Sequence, residues 1–223
     1  MRVLLFLLSF LEVLNCSIGQ TSHSAGALAG TNLGINLEKG WRANINIETR
    51  HLFKAFKEND WEYDYVRTDM TFSMTNSLGS PGNFSAGYVL INEPGEDRHR
   101  LIQQFTLVDE WWNLRWAHRF MTDQTFGEGW SPRFRIRYRL ATEIPLSGQE
   151  VDTREFYLRI NNELLNDFRD GIYDIEFRFV PLMGYVVFSN ARLEWGLDYR
   201  TDSFIRNRMR NNYRLTMNWF INL

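Results

Sequence analysis

Arg133, Arg135, Arg137 and Arg139 stand two residues apart. In a β-strand that spacing puts all four guanidinium groups on one face. Arginine stays charged, and its planar fork holds carboxylate or phosphate oxygens two at a time. Such a row has two uses. It can form an electropositive wall that draws in anions, as charged rings do in selective pores. Alternatively, it can pair with carboxylates and fill an interior, because a buried charge without a partner is expensive. Arg115 and Arg119 in the preceding segment, and Glu155, Arg159 and Glu163 in the next, complete a candidate lumen charge cluster. Glu143, Glu155, Glu163, Glu176, Glu194 and Asp198 are interleaved with the arginines segment by segment. The paired, filled interior is therefore the favoured reading, and the anion-attracting wall is the alternative.

Hydrolytic chemistry would need a serine activated by a histidine and oriented by a third polar group. The histidines are His23, His51, His99 and His118. His118 shares a strand face with Trp116 and Phe120, which points it toward an apolar surroundings or its border. Ser131 and Ser147 fall in loops, and no serine is placed beside His118 by spacing. A lipid hydrolase is the least supported alternative. We expect no catalytic residue, no cofactor and no metal. Asp109-Glu110 reads as a solvated hairpin corner rather than a cation site.

The elements that position these side chains are strands. Tyr213, Leu215, Met217, Trp219, Ile221 and Leu223 alternate with polar residues, and only Phe220 breaks the pattern. This period of two marks a half-buried strand. Leu33–Leu37, Trp41–Glu48, Val66–Met74, Phe84–Leu90, Arg98–Val108, Trp112–Phe120, Arg133–Leu140, Glu155–Asn161, the region around Ile175–Phe179, and Ala191–Arg200 behave alike. Turn signals such as Pro94-Gly95 separate them. His51–Asp60, Pro145–Asp152 and Asn166–Gly171 read as connections. About eleven segments result. A barrel with both chain ends on one side wants an even number of strands. The expected architecture is therefore all-β: a single antiparallel up-and-down transmembrane barrel of 10–12 strands, with twelve favoured.

Alternation alone does not say which face lies inside. Segments of ten or more residues suit a tilted membrane crossing. Trp41, Trp61, Trp111, Trp112, Trp130 and Tyr199 fall near segment ends, as interfacial girdles do. The chain opens with Met1-Arg2, an apolar run from Val3 to Leu14 interrupted by Glu12, and small residues at Ser17 and Gly19. That pattern reads as a secretory leader, residues 1–19, cleaved after Gly19 and leaving a barrel domain over 20–223. Cys16 is the only cysteine. It either leaves with the leader or carries a lipid, although Asn15 stands where lipid attachment favours a small residue. A mature chain without thiols excludes disulfides and thiol catalysis. The net charge of −2 gives no electrostatic case for nucleic acid. Among 25 basic residues only Lys39, Lys54 and Lys57 are lysines, a bias suited to ion pairs held away from bulk water. The expected location is the cell outer membrane. The expected partners are outer-membrane lipid and, during biogenesis, the barrel-assembly machinery; the barrel is expected to be a monomer.

The order of several short motifs carries a family resemblance. They are Arg100-Leu101-Ile102-Gln103-Gln104, His118-Arg119-Phe120 with Gln124 and Phe126, Arg133 to Leu140, Ile144-Pro145-Leu146, and Asn162-Glu163-Leu164-Leu165. Together they resemble the domain-of-unknown-function family 2490, exported proteins of Gram-negative bacteria regarded as outer-membrane barrels. The resemblance implies a fold and a location, but no reaction. One departure is visible. Where the family pattern has an acid followed by an arginine, this chain has Asp123 and Thr125, so one lumen cation of that pattern is missing.

Overall fold

The computed structural model describes residues 22–54, 62–79, 82–111, 114–205 and 209–223. The expected leader, Cys16, Trp61 and Trp112 lie outside the described residues. Eleven strands follow in order: β1 (Ser22–Asn36), β2 (Trp41–Lys54), β3 (Glu62–Ser77), β4 (Gly82–Glu93), β5 (Glu96–Trp111), β6 (Leu114–Gly127), β7 (Trp130–Pro145), β8 (Phe156–Arg169), β9 (Ile172–Phe188), β10 (Ala191–Asp202) and β11 (Arg210–Asn222). Each pairs with its neighbour in sequence, and β1 pairs with β11, so the sheet closes into a barrel without edges. Among the described residues there is no α-helix; one short 3-10 turn, Glu38–Gly40, joins β1 to β2.

The expected all-β up-and-down barrel is what the chain forms, and eleven alternating segments are eleven strands. The inference from parity to twelve does not hold. It assumed that both chain ends share a side. Instead β1 runs parallel to β11, with Ser22 opposite Arg210 and Gly34 opposite Asn222. An odd number of up-and-down strands can close only through one parallel pair, and that pair puts Ser22 and Leu223 at opposite ends of the barrel. These are called the Ser22 end and the Leu223 end below.

Strands run from 12 residues in β4 to 17 in β9, well beyond the usual five or six. Several are longer than their alternation suggests. Ser22 to Asn32 belongs to β1 even though its Gly and Ala residues give little hydropathy contrast. Asp109 and Glu110 are not a corner; they sit in β5 opposite Trp116 and Arg115. Likewise β8 continues to Arg169, and only Asp170-Gly171 turns the chain, with φ of +52° and +70°. Two left-handed residues in a two-residue hairpin give the type I′ turn that matches strand twist, and Asp-Gly is a favoured pair for it.

The strand faces are sorted in the reverse of a soluble barrel. Outward side chains are apolar: Leu215 is 66% exposed, Met217 55% and Phe72 50%. Inward ones are charged or polar, with Asp123 at 0% and Glu194 at 1%. Outward aromatic rings gather at both rims. Trp41, Trp111 and the Phe156–Tyr185 pair sit toward the Leu223 end. His51–Tyr63, Tyr88–His99 and Tyr199–Tyr213 sit toward the Ser22 end. Trp130 differs from the girdle expectation: its ring lies between the guanidinium groups of Arg98 and Arg169, each 4.0 Å from the centroid.

Candidate functional site: the charged barrel interior

Because inward positions recur every second residue, neighbouring strands stack their charges into layers. The half of the interior nearer the Ser22 end is packed with ion pairs built on three carboxylates. Asp123 of β6 holds Arg135 at 2.6 Å, Arg137 at 2.7 Å and Arg100 at 3.5 Å. Glu163 of β8 holds Arg139 at 2.6 Å, Arg178 at 3.2 Å and Arg137 at 3.8 Å. Asp69 of β3 holds Arg67 at 2.9 Å, Arg50 at 3.3 Å and Arg100 at 4.0 Å. Arg100 and Arg137 link the three into one chain of charges across β2 to β9. Each buried carboxylate thus meets more than one cation, which is the condition under which burying charge is tolerable.

The four-arginine row lies on the inner face as its spacing requires, and each member is paired. Arg133 is bonded to Asp167, Arg135 to Asp123, Arg137 to Asp123 and Glu163, and Arg139 to Glu163. Arg159 reaches Glu194 at 3.0 Å, and the Tyr157 hydroxyl donates to the same carboxylate at 2.8 Å. Gly184 makes room for the fully buried Tyr157 ring: a Cβ at Gly184 would lie 2.1 Å from Tyr157 Cζ. Arg115 belongs to the inner face but is exposed at the Leu223 rim, where its carbonyl accepts from Thr142 Oγ1. Glu155 does not join the cluster. It precedes β8, and its carboxylate accepts the Asp152 backbone N–H at 3.2 Å, bracing the 146–155 loop. Arg119 lines the interior, and its side chain makes no hydrogen bond or ion pair among the described residues, Glu163 acting on it only from beyond ion-pair distance.

Asp123 and Thr125, the departure from the family pattern, are both inside. Thr125 accepts from Arg100 Nε at 3.0 Å, so the missing cation is replaced by an acceptor for a cation on β5. Sequence reasoning missed Asp69, Arg67, Arg50, Arg100 and Arg178 as cluster members and Asp123 and Asp167 as partners of the row. Alternation within each strand was the available signal for their face. The pairing depends on register, which sequence spacing does not contain.

The interior toward the Leu223 end is different. A cavity of about 370 Å³ in the middle of the barrel adjoins one of about 530 Å³ that reaches the Leu223 end. The larger is lined by five arginines, Arg42, Arg119, Arg139, Arg159 and Arg192, and by no carboxylate. Phe220, the one fault in the closing strand's alternation, points into it, with Arg192 over its ring at 5.4 Å. His118 is on the outer face, its Nδ1 2.8 Å from the Tyr138 hydroxyl. Among the described residues no group of His, Cys, Asp and Glu has the makings of a metal site.

Fold and interior together define the class: a closed β-barrel with an apolar outer face and an ion-paired core. Residues 26–210 match the family model described as "Protein of unknown function (DUF2490)", and the chain belongs to that family. No curated protein and no solved structure shows a significant match to it.

Proposed function

We propose that the protein is an outer-membrane β-barrel whose interior is closed at the Ser22 end by ionic packing, so that it acts as a structural membrane element rather than a general pore. The carrying observation is the inverted sorting of faces. Leu215, Met217 and Phe72 are exposed outside, while Asp123, Glu163 and Glu194 are buried inside. In water that distribution would leave a large apolar belt exposed. In a bilayer it is the arrangement a spanning barrel requires, and closure removes every unpaired strand edge. Aromatic belts at both rims fit the two interfaces. On this reading the chain is exported behind its cleaved leader, folds through the barrel-assembly machinery, works as a monomer in lipid, and catalyses nothing.

The test is fractionation of a Gram-negative host expressing the chain, followed by gel electrophoresis of outer membranes with and without boiling, and by conductance in planar bilayers. We expect an outer-membrane band that migrates differently unboiled, and no steady conductance where a general porin conducts. A soluble periplasmic product with no heat shift would overturn the membrane reading. Porin-like conductance would overturn the closed-interior reading and favour an anion channel.

A further inference from the structure

Four arginine pairs face each other directly across neighbouring strands among the described residues. They are Arg50–Arg67, Arg133–Arg169, Arg178–Arg200 and Arg119–Arg139. Like charges placed opposite one another in a ladder are unfavourable, so each pair needs anions. Asp69 bridges the first. In the second, Asp167 serves Arg133 and Asp170 serves Arg169. In the third, Glu176 and Glu163 serve Arg178 and Asp198 serves Arg200. Only in the fourth does one member lack an ion pair: Glu163 bonds Arg139 and acts on Arg119 only from beyond ion-pair distance. This incomplete pair faces the cavity that contains five arginines and no carboxylate.

We propose that this chamber is a binding site for a small oxyanion, phosphate or carboxylate, carried on a hydroxylated body such as a sugar. The anion would sit between Arg119, Arg139 and Arg159 and supply the charge that the other three arginine pairs draw from Asp or Glu. Guanidinium groups hold such oxygens in bidentate fashion. The rest of the lining explains the rest of the ligand. It carries Asn44 and Asn46 of β2, Ser85 of β4 and Gln104 of β5, neutral groups that both donate and accept, as hydroxyl recognition demands. Asn44 and Asn46 make no side-chain hydrogen bond among the described residues, so their capacity is free. Phe220 offers one apolar face for a sugar ring. A volume of about 530 Å³ falls in the range of small-molecule sites. Entry is from the Leu223 end, where Arg42, Arg192 and Asn222 lie at or next to strand termini. The inference rests on the barrel reading but adds a ligand to an interior otherwise read as structural.

Isothermal titration of full-length mature protein, first shown to migrate differently unboiled, tests it. The probes are glucose 6-phosphate, inorganic phosphate and glucose. We expect saturable one-site binding of glucose 6-phosphate, weaker binding of phosphate, and no heat from glucose. Arg119→Gln should weaken glucose 6-phosphate at least tenfold while keeping the heat shift, and Arg210→Gln at the opposite end should leave it unchanged. A headgroup of the same chemistry still bearing acyl chains, offered in mixed micelles, should not bind, because its chains would have to enter a charged interior. Equal binding of the acylated form would move the site out of the chamber and overturn the proposal. So would wild-type affinity in Arg119→Gln, or no binding by protein that shows the heat shift. Phosphate binding as tightly as glucose 6-phosphate would overturn the hydroxylated half of the assignment. Loss of the heat shift in the wild type would instead strike the barrel reading, and this inference with it.

Discussion

Asp123→Asn removes one charge and almost no volume, so it isolates the electrostatic role of the central carboxylate. In the folded barrel Asp123 is fully buried and faces Arg135 at 2.6 Å, Arg137 at 2.7 Å and Arg100 at 3.5 Å. Arg137 keeps a distant second acid, Glu163 at 3.8 Å, and Arg100 keeps Asp69 at 4.0 Å. Arg135 is left with no other acid within ion-pair distance among the described residues. Breaking one buried pair by removing a single partner costs about 3–5 kcal/mol. Two short contacts do not double that, because members of one network are not additive, and the amide can still accept one hydrogen bond. The expected loss is therefore about 3–5 kcal/mol. Against a typical domain stability of about 5–15 kcal/mol this is a large fraction. The assay is denaturant unfolding in detergent micelles or lipid vesicles, followed by tryptophan emission and by the heat-shifted band. The midpoint should fall steeply at unchanged slope. Asp123→Asn combined with Arg135→Gln should recover part of the loss, because the most isolated cation leaves with its anion. A single variant within about 1 kcal/mol of wild type would refute the claim that the interior is held by paired buried charge.

Other perturbations read separate parts of the same structure. Gly184→Ala should lower stability by about 1–3 kcal/mol through overpacking against Tyr157, with its Cβ 2.1 Å from the ring. Adding Tyr157→Leu should relieve that clash in the same unfolding assay. Leu215→Arg places a cation on the outer face and should cost about 2–4 kcal/mol if it lies near the bilayer centre; a soluble barrel with that face in water would tolerate the change. Gly171→Val forces a β-branched residue into a φ of +70°. It should reduce stability by about 1–3 kcal/mol, and unchanged folding in vesicles would contradict the type I′ turn. Arg115→Gln, at the exposed rim, should move the unfolding midpoint by no more than about 0.5 kcal/mol.

Legibility followed contrast. Where one face of a strand is apolar and the other charged, as in Tyr213–Ile221 or Arg133–Leu140, the period of two assigned the strand and its faces correctly. Ser22–Asn32 was illegible because Gly and Ala give neither face a signature. Strand ends at Asp109-Glu110 and Asn166–Arg169 were misplaced because polar residues also close an inward face, and there they resemble turn residues. The count of eleven was readable, but its closure was not: even parity assumed antiparallel ends, and the β1–β11 parallel pair is a property of the closed sheet alone. The arginine row was legible as a face but not as a set of bonds. Asp123 and Asp167 become its partners only through the register of β6, β7 and β8. Shifting that register by two residues would bring different acids opposite the same arginines. Glu155 shared the parity of the inner face but fell one residue outside β8, where it bonds its own loop. Arg119, by contrast, was legible as an inward cation, and only the structure shows that Glu163 bonds its neighbour Arg139 and stays beyond ion-pair distance of Arg119 itself.

The central claim is that the apolar face is outside in lipid and the charged face inside. Site-directed spin labelling along β11 tests it most directly, since cleavage of the expected leader would remove Cys16 and leave introduced cysteines as the only thiols. Labels at positions 215 and 217, reconstituted in vesicles, should collide readily with lipid-soluble oxygen and hardly with a polar nickel chelate, while labels at 216 and 218 should lose that oxygen preference. A reversed alternation, or equal access of the polar chelate at 215 and 217, would contradict the account.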